Sequence, residues 1–307
     1  MKSIFLHADD YALTRNTSKD IIDCIQQGSL DGISILDNMS SYEDCIELLE
    51  DSIPSFPFLP KLFIHINLVE GRSLSTADSD ISKDGLLDTN WEKLFFLSYS
   101  PWRSKIKELL KKEICAQIER EIPDLNECIA VANENHIPCT QNGICIDFHQ
   151  HAHVIPVVWD ALQEVIQEKE MPIEYIRSPK EPLSPFYKDH SPVFSYLPIN
   201  FVKNRIVDLY SHDVDLYLER NKLPAMYMWG LMMSGKMDFK RIKQIFPAMK
   251  EYSRDNNRAL VLLFHPGQML KDEYSLEISL SSMRNFYLSE NRHIEKEAVM
   301  LTEKELL

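Results

Sequence analysis

The chain has no glycine-rich phosphate loop, no CxxC pair, no run of 18 apolar residues and no excess of positive charge. Each absence closes off a class of function. A nucleotide-binding doubly wound sheet needs the glycine-rich turn that is missing. A membrane helix needs the long apolar run, so no membrane span is expected. The six cysteines (24, 45, 115, 128, 139 and 145) lack metal-knuckle spacing, and Cys24, Cys45 and Cys115 sit among helical apolar residues. They read as free thiols in a reducing, cytoplasmic setting. A net charge of -14 argues against nucleic acid or an anionic membrane as partner and leaves a neutral sugar open. The amino terminus turns charged too soon for a signal peptide and reads as a first strand. There is no internal repeat and no low-complexity linker.

What is present is an ordinary globular composition, 44% apolar and 26% charged over 307 residues, enough for one large domain. Apolar runs at 3–8, 32–38, 61–68, 144–148, 173–176, 225–229 and 259–264 read as strands. Helical periodicity follows most of them. The first helix has Thr17 or Ser18 as N-cap and Gly28 as its stop. Others are expected over 42–49, 104–122 with a second piece to about Ala132, 157–166, 239–249, two within 201–220, and most of 273–307. Residues 71–103 and 178–200 read as long excursions, the first placed to cover a site. Strand-then-helix units every 30 to 40 residues predict an α/β fold, a distorted or incomplete TIM-like (β/α) barrel in a single domain spanning 1–307.

Chemistry in such barrels gathers at the carboxyl ends of strands, and the polar residues gather there too. Strand one ends at Asp9-Asp10, and strand three carries His65 and Asn67, then Glu70. Strand four runs into Asp147-Phe148-His149-Gln150-His151-Ala152-His153. Strand five ends at Arg177, and the late strand at His265. Residues two apart share a face of a strand, so Asp147, His149, His151 and His153 would point one way while the strand lasts. His7 is expected to be packed, and His136, His190, His212 and His293 to lie at the surface. A carboxylate with two imidazoles is a familiar catalytic metal set, and bound water in such a set becomes a nucleophile near neutral pH. A second carboxylate can take the water's proton and a histidine can protonate a leaving group. Asp9 and Asp10 are adjacent, so in an extended strand one can ligate while the other acts as base. The methionines of 226–237 read as barrel filler.

Four stretches resemble the YdjC-like carbohydrate deacetylases, the group that includes chitooligosaccharide deacetylases. They are Ala8-Asp9-Asp10-Tyr11-Ala12-Leu13, His65-Ile66-Asn67-Leu68-Val69-Glu70-Gly71, Asp147 through His153, and Phe264-His265-Pro266-Gly267. They occur in family order along nearly the whole chain. The resemblance implies a TIM-like barrel, compatible with a homodimer, that holds one divalent metal ion, zinc or magnesium, through Asp10, His65 and His149. It implies Asp9 as base and His265 as acid, acting on an N-acetylated amino sugar or oligosaccharide. Asn67, Asp147, His151, His153 and Arg177 are then expected to contact substrate or support the ligands, Asp147 by accepting an imidazole N–H. Tyr11-Ala12, Val69 and Gln150 depart from the family pattern without removing a ligand, which leaves substrate preference open. The rival readings are a metal-dependent hydrolase of a phosphoester or non-sugar amide, and a non-catalytic sugar-binding protein. Only Arg15, Arg72 and Arg177 lie near the motifs, few for a phosphate site.

Overall fold

A computed structural model describes residues 2–188, 198–275, 277–278 and 281–307. In chain order the elements are β1 (Ile4–Tyr11), α1 (Arg15–Gln26), β2 (Gly32–Ile35), α2 (Tyr42–Ser52), β3 (Lys61–Ile66), the short hairpin β4 (Ser82–Lys83) and β5 (Leu86–Leu87), α3 (Trp91–Leu97), α4 (Arg103–Glu134), β6 (Ile144–Phe148), α5 (Pro156–Glu168), β7 (Ile173–Ile176), α6 (Ser184–Lys188), α7 (Pro198–Arg220), β8 (Met226–Trp229), α8 (Phe239–Asp255), β9 (Ala259–Phe264), α9 (Ser281–Tyr287) and α10 (Asn291–Leu306).

Seven strands form one all-parallel sheet in the order β7-β6-β3-β2-β1-β9-β8. Going round from β1, this is the strand order of a (β/α) barrel cut open between β7 and β8. The strands are buried on both faces, as parallel strands under helices must be. The open seam is crossed by the stretch that follows β7. Met228 N–H donates to the Lys180 carbonyl at 3.0 Å, and the buried Glu181 carboxylate accepts from Gly230 N–H (2.8 Å) and Met232 N–H (2.7 Å). The molecule is therefore an incomplete, distorted TIM-like barrel in one domain, and all polar strand ends open on one rim.

Several sequence expectations are refined. β1 does not stop at Ala8. It continues to Tyr11, with its register to β2 shifted between Ala8 and Tyr11 and with Asp10 at φ 68°. Aspartate tolerates that left-handed backbone better than most residues, because its short polar side chain can bond locally. Thr14, not Thr17 or Ser18, caps α1 by accepting Thr17 N–H. The helix expected in two pieces to Ala132 is one helix of 32 residues that carries Pro123 inside it. The two helices expected within 201–220 are also one, α7. The excursion at 71–103 contains the hairpin and α3, and its start is fastened by buried Glu113, which accepts from Ser73, Leu74 and Ser75. Of the excursion at 178–200, residues 189–197 lie outside the described residues, and His190 with them. His136, His212 and His293 are exposed as expected, and His7 is buried. Met228, Met232, Met233 and Met237 are buried, with Met226 half-buried. All six cysteines are unpaired. Among the described residues no helix is long and apolar enough to cross a membrane.

Candidate active site

The β1 bulge turns two adjacent carboxylates to different partners. Asp9 is gripped by a two-pronged bond from Arg177, Nη1 to Oδ2 at 2.7 Å and Nη2 to Oδ1 at 2.8 Å. Asp10 accepts from Arg292 Nη1 through Oδ2 at 2.8 Å. Its other oxygen, Oδ1, is buried and has no hydrogen-bond partner. That oxygen lies 3.3 Å from His149 Nδ1 and 3.8 Å from His65 Nε2, and His65 Nε2 is likewise buried without a partner. Asp10, His65 and His149 thus form a group that could hold a metal ion. A tetrahedral ion with bonds of about 2.0–2.1 Å sets its ligand atoms roughly 3.3 Å apart, close to the spacings here. Two buried, unsatisfied donor atoms on the same small space are the fit expected of a cation site, since orphaned buried polar atoms are costly.

The remaining nitrogen of each imidazole meets a carboxylate. His65 Nδ1 is 2.5 Å from Asp147 Oδ1, and His149 Nε2 is 2.9 Å from Glu70 Oε1. Such partners fix the ring and the tautomer of a metal-binding histidine. The support continues outward. Asp147 Oδ2 accepts from Ser34 Oγ (2.5 Å) and from Arg177 Nη2 (2.6 Å). His7 Nε2 meets Ser34 Oγ at 2.6 Å. With Ser34 donating to Asp147, His7 is left as the donor to Ser34. The Tyr287 hydroxyl donates to Glu70 and lies 3.0 Å from His149 Nε2. Asn67 shapes the turn that delivers Glu70, its Oδ1 accepting Val69 N–H and Glu70 N–H.

Charge follows this wiring. Burial works against ionising Asp9, Asp10 and Asp147, yet all three are held below the usual carboxylate range. Arg177 does this for Asp9 and Asp147, and Arg292 with His149 does it for Asp10. Burial alone would lower His149, but the Asp10 and Glu70 carboxylates beside its two nitrogens push it up to about 10. A proton held between two carboxylates is one a more highly charged cation would displace. His7 and His153 go the other way, to about 3 and about 4, because burial dominates. His151 is also well below its ordinary value for that reason, and these three are neutral imidazoles near pH 7.

The shared face expected for Asp147, His149, His151 and His153 does not persist. The strand ends at Phe148, and 149–154 is a tight turn in which Gln150 and His151 have φ of 52° and 56°. The alternation breaks because the chain must turn into α5, whose first residue is Pro156. His149 joins the carboxylates, while His153 Nε2 bonds the Arg177 carbonyl at 2.7 Å. His151 is buried with Nδ1 unpartnered. His265, at the end of β9, is the most accessible of the group, its side chain 18% exposed. Its backbone N–H donates to Glu295 Oε2.

Sequence reading missed Ser34, Tyr287, Arg292 and Glu295. Ser34 looks like a routine strand residue, and the other three lie in the helical tail without a motif. The only signal was that Arg292 and Glu295 share a helix face three residues apart, and both are buried.

Comparison with known proteins follows the same lines. A protein from Danio rerio named carbohydrate deacetylase is 25% identical over 179 residues, 57% of this chain and 49% of that protein. One of the same name from Geobacillus stearothermophilus is 23% identical over 56% of this chain and 59% of its own length. A chitooligosaccharide deacetylase from Yersinia enterocolitica is 24% identical over 57% and 60%. The chain thus spans about half to three fifths of the curated relatives it matches. A solved structure from Enterococcus faecalis, named as a candidate cellobiose-phosphate cleavage protein, covers 97% of this chain and 95% of its own with a TM-score of 0.50 at 12% identity, a likeness of fold. The family described as YdjC-like protein matches residues 3–122 and 145–307, so the chain belongs to the YdjC-like family.

Proposed function

We propose that this chain is a metal-dependent hydrolase that removes N-acetyl groups from amino sugars or short N-acetylated oligosaccharides. The observation that carries the reading is the pair of buried, unpartnered atoms, Asp10 Oδ1 and His65 Nε2, grouped with His149. Relatives named carbohydrate deacetylase support the reaction class. Asp10, His65 and His149 would hold one divalent ion, and two imidazoles favour zinc over magnesium. When bound, the ion supplies Lewis acidity for the amide carbonyl and acidifies water.

The protein's own groups supply the rest. Asp9 is ionised and its plane is fixed by the Arg177 fork, so it accepts the proton of the attacking water. Its low basicity is the cost of that alignment, and it is offset because the water is acidified. His265 donates a proton to the amine nitrogen as the C–N bond breaks and acetate forms. Asp147 and Glu70 keep the two ligand rings in place, Asn67 sets the turn bearing Glu70, and His153 fixes the backbone of Arg177. The excursions at 71–103 and 178–200 of the single 1–307 domain shape substrate preference. Six free thiols support a reducing, cytoplasmic setting, and a homodimer rests on family likeness alone.

A phosphoester substrate would need a free cationic cluster. Among the described residues Arg15, Arg72, Arg177 and Arg292 are each bonded to protein oxygens, which weighs against it.

The test is acetate release from N-acetylglucosamine and short chito-oligosaccharides, using chelator-treated protein and then protein with zinc or magnesium restored. Metal-dependent release from any member supports the reading, and none from metal-loaded protein overturns it. Asp9→Asn is expected to lower kcat by about 100-fold or more while bound metal, measured by atomic absorption, stays at the wild-type level.

A further inference from the structure

The last helix holds the rim from behind. Arg292 donates through Nη1 to Asp10 and through Nε to the Gly267 carbonyl, the latter at 2.6 Å. Gly267 N–H in turn reaches the Arg292 carbonyl at 3.3 Å. The turn after β9 and α10 are therefore locked to each other, with no room to drift. A Cβ at position 267 would lie 2.8 Å from the Thr17 backbone, so α1 closes in on the same point. One helical turn after Arg292, on the same face, stands Glu295.

Glu295 is 1% exposed. Its Oε2 accepts the backbone N–H of His265 at 2.7 Å and lies 3.7 Å from His265 Nδ1. Its Oε1 is buried with no partner. A buried carboxylate with an idle oxygen is expensive, and the His265 imidazole is the ring beside it, its Nδ1 3.7 Å from Oε2. The other side of the imidazole is bounded by the edge of Phe286, at 5.3 Å between ring centres. The ring thus has an aromatic neighbour and a carboxylate acceptor within reach.

We propose that Glu295 is the positioning residue for His265. It accepts Nδ1–H when the ring swings over substrate, which leaves Nε2 as the nitrogen that faces the scissile bond. This deepens the deacetylase reading and rests on it for what His265 does. In the step concerned, doubly protonated His265 passes the Nε2 proton to the departing amine nitrogen and keeps the Nδ1 proton on Glu295. The ring ends neutral as the Nδ1–H tautomer, and no proton crosses to the carboxylate. This is the division of labour by which a carboxylate sets the tautomer of a catalytic histidine without itself being protonated.

The experiment uses full-length protein labelled with ¹⁵N histidine, wild type and Glu295→Gln, each with its metal content measured. The tautomer of neutral His265 is read from its ring ¹⁵N shifts. The wild type is expected to show Nδ1–H, and Glu295→Gln, which keeps an oxygen for the backbone N–H, to shift toward Nε2–H. On a substrate that the wild type turns over, Glu295→Gln is expected to lose about 10- to 100-fold in kcat with KM within about twofold and metal content unchanged. An unchanged tautomer, or a wild type already in the Nε2–H form, overturns the proposal. The wild-type spectrum alone decides should the variant not fold. A tautomer shift in a protein that deacetylates nothing would sink the deacetylase reading and leave the Glu295–His265 pairing standing.

Discussion

Asp9, Asp10 and Asp147 are 2%, 1% and 0% exposed, and Asp37 and Glu121 are 1% and 0%. The two sets are equally dry, yet their carboxyls are shifted in opposite directions. The first three face the guanidiniums of Arg177 and Arg292 and stay ionised. Glu121 faces Asp37 and further carboxylates, and Asp37 faces Arg120 as well as Glu113 and Asp124. Burial, then mutual repulsion, pushes Glu121 well above the usual carboxylate range. Asp37 is raised too, with burial outweighing the attraction of Arg120. Both Glu121 oxygens and Asp37 Oδ2 have no partner. Glu181 stands between the extremes. Burial pushes it up to about 7, with the Gly230 and Met232 N–H groups pulling back. Burial depth therefore says nothing by itself about a carboxyl's charge, because the cation in reach decides it.

Removing the cation is the severest way to break this contrast. Arg177→Met leaves Asp9 and Asp147 buried and uncompensated, and it is expected to cost about 3–5 kcal/mol in urea unfolding and nearly all turnover. A loss under about 1 kcal/mol would mean the site's charges are not held by Arg177. Next comes Glu181, whose ordinary value of 4.5 rises to about 7 in the fold. Between those pH values the folded protein binds more protons than the unfolded chain. The group's stabilising contribution is therefore full below pH 4.5 and is lost as pH rises through about 7. The unfolding free energy of wild type minus Glu181→Gln should fall by about 3 kcal/mol from pH 4.5 to 7.5 and be level on either side. The smallest effect is expected from Glu121→Gln. It removes a carboxyl whose ionisation burial and repulsion oppose, so at pH 8 the variant should be more stable by about 1 kcal/mol, with the gain fading towards pH 4.5. A destabilised Glu121→Gln at pH 8 would mean that the pull of Arg120 outweighs burial and repulsion at that carboxyl.

The strand-end residues were legible because the parallel barrel imposes a rule that runs along the chain: an apolar run, then a polar residue at its carboxyl end. That rule places Asp9, Asp10, His65, Asp147, His149, Arg177 and His265 at or beside strand ends, where the structure has them. The role of Arg177 was not legible, since neither its fork on Asp9 nor its contact with Asp147 has a local signature. Arg292 and Glu295 obey a different rule, that of a helix packed behind the rim, and nothing in their own neighbourhood says which strand end they meet. The even spacing of His149, His151 and His153 misled for a related reason. A period of two holds only while the backbone is extended, and Gln150 and His151 are left-handed. The seam between β7 and β8 was hidden because Lys180 and Glu181 close it from an irregular stretch.

The Arg292–Asp10 bond spans 282 residues. A ribosome adding about 5–20 residues per second takes roughly 15–60 s to travel that far. For all of that interval the newly made first strand carries a carboxylate whose cation does not yet exist. The partner of His265 arrives three residues later still. The rim can be assembled only after synthesis has passed both, so nascent chains stopped short of α10 should collapse around their strands yet bind metal poorly, and the centre that would do the chemistry matures after the sheet that carries it.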